Sequence, residues 1–226
     1  PKEALNKYHY PEARAAQVRH KNPTKNMIII GIVGSKGKTT TANLLWAALS
    51  ADGSKVGQIG TANIRIGKQE ELNRHHMTMP NAFILQRYLR RMADAGCKYV
   101  VLEVPSEGQT QYRHVGINFD VLVFTNVTRE IMAAHRNSMT VLHQHNKRVF
   151  AQTSRSKHKV IAGKRIPKMI IANADAADYA AYSSFKADQK ISFSTRSASD
   201  YQATNIKATN KGVDFSINTH PYHLGI

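Results

Sequence analysis

The sequence predicts an α/β fold: a P-loop domain with a mainly parallel sheet flanked by helices and an antiparallel hairpin near the C-terminus. Three observations predict it. Met27 to Val33 is a nearly continuous apolar, β-branched run, interrupted only by Gly31, and it feeds a glycine-rich turn and then a helical stretch. Further apolar strand-like runs follow, separated by helix-like segments, which is the pattern of βαβ units. The tail then changes to two alternating segments around Asn210-Lys211-Gly212, the pattern of a hairpin at a sheet edge.

The elements follow in order. Ala4 to Arg19 reads as helix, with a break or a new start at Pro11, and Lys21 to Thr24 reads as loop because Pro23 disfavours helix at the residue before it. Residues 1–26 are thus expected to form a short helical segment ahead of a domain spanning 27–226. Met27 to Val33 has the composition of a strand buried on both faces. The helix Thr39 to Ala51 is expected to place Leu44, Leu45, Ala48 and Leu49 on one face. A second helix follows Pro80, with Phe83, Ile84, Tyr88, Leu89 and Met92 at helical spacing and Gly96 as its stop. Tyr99 to Val104, Phe119 to Phe124 and Met169 to Ala172 read as strands, and the hairpin pairs Tyr201–Ala208 with Val213–Thr219.

Composition sets the limits. Hydrophobic residues make up 42% of the 226-residue chain, ordinary for a soluble globular protein. No apolar run approaches the roughly 20 residues of a membrane helix, so no membrane span is expected. Without a recognisable signal peptide, and with Cys97 as the one cysteine, the expected compartment is the reducing cytoplasm. The chain opens on Pro1, so a native N-terminus is expected to lie upstream. The net charge of +17 favours anionic partners such as nucleotides or diphosphate sugars. It is spread along the chain, from Lys21 and Lys25 through Arg87, Arg90 and Arg91 to Arg155–Lys168, and a merely solvated basic surface fits it as well.

The strongest chemistry is Gly34-Ser35-Lys36-Gly37-Lys38-Thr39-Thr40-Thr41, set between a buried strand and a helix. Glycines let the backbone turn tightly and aim N–H groups at a phosphate, and the helix N-terminus adds its positive dipole end. Lys38 is expected on the β- and γ-phosphates and the Thr39 hydroxyl on Mg²⁺. The longer Walker spacing is not met, since Ile32 stands where it requires glycine.

This loop is similar to the T-G-x-x-G-K-T-T-T signature of the Mur ligases, and further matches follow in order. Gly57-Gln58-Ile59-Gly60-Thr61 resembles the family's G-x-I-G-T, and Thr78-Met79-Pro80 its T-T-P. Leu102-Glu103-Val104-Pro105-Ser106 resembles M-E-V-S-S; Phe119-Asp120-Val121 and Phe124-Thr125-Asn126-Val127-Thr128 resemble F-D-x-x-x-F-T-N-L-T; Asn173-Ala174-Asp175 resembles N-A-D-D. The resemblance implies ATP and Mg²⁺ as cofactors and a reaction in which ATP phosphorylates a substrate carboxylate and an amine displaces the phosphate to form an amide. It implies that Gly34 to Thr40 and Asn126 bind the nucleotide and that Thr39 and Glu103 hold the metal. It further implies that Lys38, Glu103 and His135 act in catalysis, and that Thr78, Met79, Pro80, Ser106 and Arg113 meet a UDP-muramoyl-peptide-like substrate, with an amino acid as co-substrate. By residue type alone, Glu103 also reads as a strand-end carboxylate in a surface ion pair, and Arg113 as a solvated loop charge.

The pattern is broken in places. Glu130-Ile131 stands where the family has an acidic residue followed by a metal-binding His, although His135 matches its second His. Counting back from Phe150 puts Asn146, with Lys147 next to it, where the family carries a carbamate-forming Lys. Pro105 and Ala176 replace a Ser and an Asp of the family motifs. The chain is also short, so a C-terminal ligase domain is expected to be absent, leaving either a fragment of a longer enzyme or a degenerate nucleotide-binding relative. A third reading, a basic nucleic-acid-binding P-loop protein, has no RNA-binding motif behind it, and nucleic acid is not expected. His75-His76 and His143-x-His145 lack metal-ligand spacing and read as surface histidines. Trp46 reads as packing and Cys97 as a buried thiol. The sequence sets no oligomeric state.

Overall fold

The structure, a computed structural model, describes residues 2–75, 77–128 and 138–225, with the side chains of residues 2–7 excepted. Its centre is β1 (Ile28–Val33), the apolar run, flanked in parallel by β5 (Tyr99–Val104) and β6 (Val121–Phe124). Outward from β5 lie β2 (Val56–Ile59), β3 (Asn63–Ile66) and β4 (Gln69–Leu72), the last two antiparallel. Outward from β6 lie β9 (Met169–Asn173), β10 (Gln189–Ser194), β11 (Tyr201–Thr209), β12 (Gly212–Ile217) and β13 (His220–Gly225). Pairing is parallel as far as β11 and antiparallel beyond it. A two-stranded ribbon, β7 (Val160–Ile161) with β8 (Lys164–Arg165), stands apart from this sheet.

Helices cover both faces, as a parallel sheet requires. α2 (Lys38–Ala51) seals one face over Ile30, Ile32, Val56 and Val101. α3 (Ala82–Asp94), α5 (Met139–Arg155) and α6 (Tyr179–Ser183) close the other, where Leu85, Leu89, Met92, Val149, Phe150 and Tyr182 join one buried cluster. Each fully buried Leu or Met of α3 contributes about 2 kcal/mol by removal from water. α1 (Lys2–Arg19) packs through Ala13 and Ala16 against Ala82 and Val115. A short helix, α4 (Ser106–Thr110), follows β5.

Several expectations need correction. α1 runs through Pro11 without a break, because the alanines beyond it are packed and hold the helix in place. The buried face of α2 is Ala42, with Leu45, Trp46 and Leu49 partly covered, whereas Leu44 and Ala48 face outward. On α3 the buried face is Leu85, Tyr88, Leu89 and Met92, and Phe83 is left 39% exposed. In both helices one apolar stripe was read from spacing, but the angle at which the helix meets the sheet selects the face. Phe119 and Asp120 precede β6 instead of belonging to it. β2, β3, β4, β7, β8, β10 and β13 were not foreseen, since none carries a long apolar run, and neither were α4, α5 and α6.

The edge of the sheet where the parallel strands begin is fixed by a buried carboxylate. Asp120 Oδ2 accepts from the backbone N–H of Ile29 at 2.9 Å and from Lys159 Nζ at 2.5 Å, while Oδ1 accepts from Lys168 Nζ at 3.2 Å. Asp120 is 0%, Lys159 5% and Lys168 3% exposed, so two members of the basic stretch Arg155–Lys168 are interior and belong neither to a solvated surface nor to an anion-binding patch. Lys159 Nζ also donates to Met27 O, and Lys168 Nζ to Asn118 Oδ1 and Phe119 O. Burial pulls both ammoniums below their usual range, Lys159 to about 8, against the opposing pull of Asp120. Asp120→Asn would leave two buried cations without an anion. We expect it to lower stability by about 3–5 kcal/mol in chemical denaturation, and Lys168→Met to cost less because Lys159 still neutralises the carboxylate.

Candidate nucleotide site

The site forms where β1, β5 and β6 end together. Parallel pairing sets Ile32 beside Glu103 and Val33 beside both Val104 and Phe124, so the residues that follow these strands meet at one level. The glycine-rich loop leaves β1 at Gly34, reaches Gly37 at φ +80°, and enters α2 at Lys38. Thr40, on the first turn of α2, is exposed.

The segment after β6 clamps the loop from the side. Ser35 N–H donates to Asn126 O at 2.8 Å, Lys36 N–H to Asn126 Oδ1 at 3.0 Å, and Thr128 N–H to Ser35 Oγ at 3.0 Å. Thr125 Oγ1 donates to Lys36 O at 2.8 Å. Asn173, at the end of β9, ties this segment in turn by donating Nδ2 to Thr125 O at 2.9 Å. Asn126, read as a nucleotide contact, is therefore placed with its amide on the backbone of Lys36, shaping the loop. Gly34 must be glycine at this approach: its φ is +148°, and a Cβ there would lie 2.1 Å from Thr125 Oγ1.

Lys38 Nζ donates to Gly34 O at 2.8 Å and Ser35 O at 2.9 Å, arching over the loop. Burial lowers its affinity for the proton, and the nearby Glu103 carboxylate works against that shift. Glu103 is 1% exposed, which rules out the surface ion pair. Its Oε2 accepts from Thr39 Oγ1 at 2.9 Å and Thr61 Oγ1 at 3.0 Å, and its Oε1 from Thr61 N–H at 2.9 Å. Among the described residues its hydrogen-bond donors are neutral, and the Lys38 ammonium lies near enough to feel its charge. Gly60 makes room for it, since a Cβ there would stand 2.3 Å from Oε1. Carboxylate and hydroxyl oxygens converging on one point are hard ligands of the kind Mg²⁺ takes, so Thr39 and Glu103 fit such an ion.

The same hydrogen bonds run on to the residues read as substrate contacts. Thr61 Oγ1 lies 3.0 Å from Thr78 Oγ1, and Arg113 Nη1 donates to Met79 O while Nη2 donates to Gln111 Oε1. Arg113 is partly buried, and that burial disfavours its charged form. It is not a solvated loop charge. Ser106 begins α4 and is buried, its carbonyl accepting from Thr110 Oγ1 at 3.0 Å. Met79 and Pro80 are buried as well, and the Met79 side chain belongs to the main core cluster. From this group, Thr78 and Arg113 retain partly accessible side chains.

His135, Glu130 and Ile131 lie outside the described residues. Asn146, at the position matched to the family lysine, is 1% exposed and accepts from Gln109 Nε2 at 3.3 Å, while Lys147 Nζ stands 6.0 Å from the Tyr182 ring centroid. No cluster of three or more His, Cys, Asp or Glu of the kind that holds a metal occurs among the described residues. His143 and His145 are partly buried and hydrogen-bonded, to Tyr182 and Thr110, instead of lying on the surface. His75 is likewise partly buried and meets Tyr88, and His76 lies outside the described residues. Thr61, Thr125 and Gly60 are the residues that sequence reasoning missed. Their motifs were visible, but nothing in the spacing announces which atoms they hold.

Comparison with known proteins places this geometry. The model of the Mur ligase middle domain matches residues 32–225. The chain is 31% identical over 207 residues to a UDP-N-acetylmuramoyl-L-alanyl-D-glutamate–2,6-diaminopimelate ligase of Listeria monocytogenes, covering 92% of this chain and 40% of that protein. It is 30% identical over 202 residues to a UDP-N-acetylmuramyl-tripeptide synthetase of a Roseiflexus species, covering 88% and 39%. It thus spans about two-fifths of the length of these relatives. Among solved structures, a UDP-N-acetylmuramoyl-L-alanyl-D-glutamate–2,6-diaminopimelate ligase superposes with a TM-score of 0.75 at 20% identity, covering 97% of this chain and 43% of that one. The MurF ligase of Thermotoga maritima in complex with ADP superposes at 0.64 and 13% identity, covering 99% and 44%, and shares the fold. No helix among the described residues is long and apolar enough to cross a membrane.

The clamp on the loop is directly testable. Gly34→Ala forces a methyl into Thr125 Oγ1 and Asn126 O at a φ that L-residues avoid. We expect a loss of about 2 kcal/mol or more in thermal or chemical unfolding.

Proposed function

The chain belongs to the Mur ligase family, as its middle domain, and from that premise we propose that it is the ATP-handling part of an amide ligase acting on a UDP-N-acetylmuramoyl-peptide-like substrate. The observation that carries the reading is the buried Glu103 carboxylate set against Thr39 at the mouth of the glycine loop, with Lys38 beside it. The loop N–H groups and Lys38 bind the β- and γ-phosphates, an arrangement that positions phosphoryl groups and neutralises their charge. Thr39 and Glu103 would hold Mg²⁺, whose chemistry there is to offset the negative charge of the phosphates.

The transfer itself is simple to balance. A substrate carboxylate oxygen takes the γ-phosphoryl group and ADP leaves; an amine then displaces phosphate from the acyl phosphate, losing a proton as the amide forms. Thr78, Ser106 and Arg113 would seat the carboxylate-bearing substrate, a role supported by the partly accessible side chains of Thr78 and Arg113. Arg113 is suited to this because its guanidinium is partly buried and already oriented by Met79 O. Met79 supplies the carbonyl that orients Arg113, and both Met79 and Pro80 are buried beside it. His135 is retained as a catalytic residue on the family match alone.

One observation favours a second reading, a nucleotide-binding module without ligation. Asn146 is buried and committed to Gln109, and an amide forms no carbamate.

Calorimetry with ATP and Mg²⁺ tests the shared part of both readings. Binding to the parent chain should be lost, by at least about a hundredfold, in Lys38→Ala, a charge-assisted contact in a partly buried site. Thr61→Val leaves the backbone N–H on Glu103 but removes its hydroxyl, and should weaken Mg²⁺-dependent binding about tenfold. No binding by the parent chain would sink the nucleotide assignment for it. Formation of ADP that depends on both UDP-N-acetylmuramoyl-dipeptide and an amino acid separates ligase from module: the module reading expects none.

A further inference from the structure

A pocket of about 590 Å³ lies at the far end of α2 from the phosphate loop. Its walls include Trp46 and Ser50 from α2, Lys55 from the turn that follows, Ile66 and Lys68 from β3 and the turn to β4, and Ala95 from the end of α3. The size is that of a small-ligand site. Trp46 and Ile66 give it an apolar wall, and Lys68 is an exposed cation on its rim.

Two further facts concern polarity. The Arg65 guanidinium lies 4.5 Å over the Trp46 ring, and Trp46 Nε1 and Arg65 Nε are both buried without a hydrogen-bond partner. The rest of the guanidinium is engaged, Nη1 donating to Asn43 Oδ1 and Gln58 Oε1 and Nη2 to Glu70 Oε1, so Arg65 holds the Trp46 ring in place from the side it covers. The neighbouring carboxylates are already engaged, Asp52 by the Ser54 N–H and Glu70 by Arg65 and Asn63. Lys55 and Lys68, both exposed, are then the cations that line the pocket, and an anion suits it in charge.

We propose that this pocket binds an organic anion with an aromatic or other apolar body, packed on Trp46 and Ile66, its anionic head drawn to Lys55 and Lys68. The site is separate from the phosphate loop: Trp46 is eight residues along α2 from Lys38, about 12 Å along the helix axis. It does not depend on the ligase reading.

Trp46 is the sole tryptophan of the chain, so its emission reports on this pocket alone. The probe is 8-anilinonaphthalene-1-sulfonate, an aromatic anion that accepts energy from tryptophan. Titration should give saturable, one-to-one quenching of Trp46 with sensitised probe emission, unchanged by saturating ATP and Mg²⁺. Lys68→Glu, at an exposed position, should weaken it about tenfold. Ser50→Phe, which fills the pocket, should abolish it, with circular dichroism verifying that each variant is folded. The uncharged N-phenyl-1-naphthylamine should bind at least about tenfold more weakly than the sulfonate. The proposal is overturned by the absence of saturable transfer, by displacement with ATP, by equal binding in both variants, or by equal binding of the uncharged analogue.

Discussion

The upper half of the molecule depends on the parallel register that sets β1 between β5 and β6. Ile32 beside Glu103 and Val33 beside Phe124 bring three strand ends to one height, and each end then delivers a different part of the site. β1 delivers the loop, β5 a carboxylate, and β6 the Thr125-Asn126 segment that shapes the loop. A shift of one residue in β5 would turn Glu103 to the opposite face of the sheet and leave Thr39 and Thr61 without their common acceptor. Core packing and site geometry are here the same constraint, because Val104, Phe124 and Leu102 lock that register through the main buried cluster.

The two buried carboxylates are stabilised in opposite ways. Asp120, where the strands begin, is neutralised by two ammoniums and one backbone N–H, and its charge is consumed within the fold. Glu103, where they end, accepts hydrogen bonds from hydroxyls and an N–H, with the Lys38 ammonium near it but not bonded to it among the described contacts. Those donors orient the group and solvate it without cancelling its charge, so it remains available to a cation. One carboxylate is a fastening and the other, on the proposed reading, a ligand, although both look alike as isolated acidic residues next to apolar runs.

That difference marks how far the sequence could be read. The central strands, the loop and the helices after it were legible because a strand buried on both faces has to be almost continuously apolar, as Met27–Val33 and Tyr99–Val104 are. β4, with the sequence Gln-Glu-Glu-Leu, and β13, with His-Pro-Tyr-His-Leu-Gly, were not, because edge strands are selected by pairing and not by burial. Helix faces were misread at Leu44 and Phe83 for a related reason: spacing gives the stripe but not its rotation against the sheet. Within the site, Lys38, Thr39 and Glu103 were legible from type and context. The duty of Thr61 was not, because it arises from a turn that brings it against Glu103, 42 residues further along the chain. Nor could Lys159 and Lys168 be told from their exposed neighbours, since the aspartate they share becomes adjacent only once the chain has folded.

The bonds from Lys38 to the two loop carbonyls have a consequence for the loop itself. An ammonium carries three donors, and two of them are spent on Gly34 O and Ser35 O, so the side chain braces the turn and its third N–H remains for an anion. Under the proposed nucleotide binding, a phosphate oxygen would meet that donor on a lysine already in place, and the entropy of ordering the side chain would be lost in folding and not in binding. The loop would then keep one shape whether the site is filled or empty, held by the residue that it offers to its ligand.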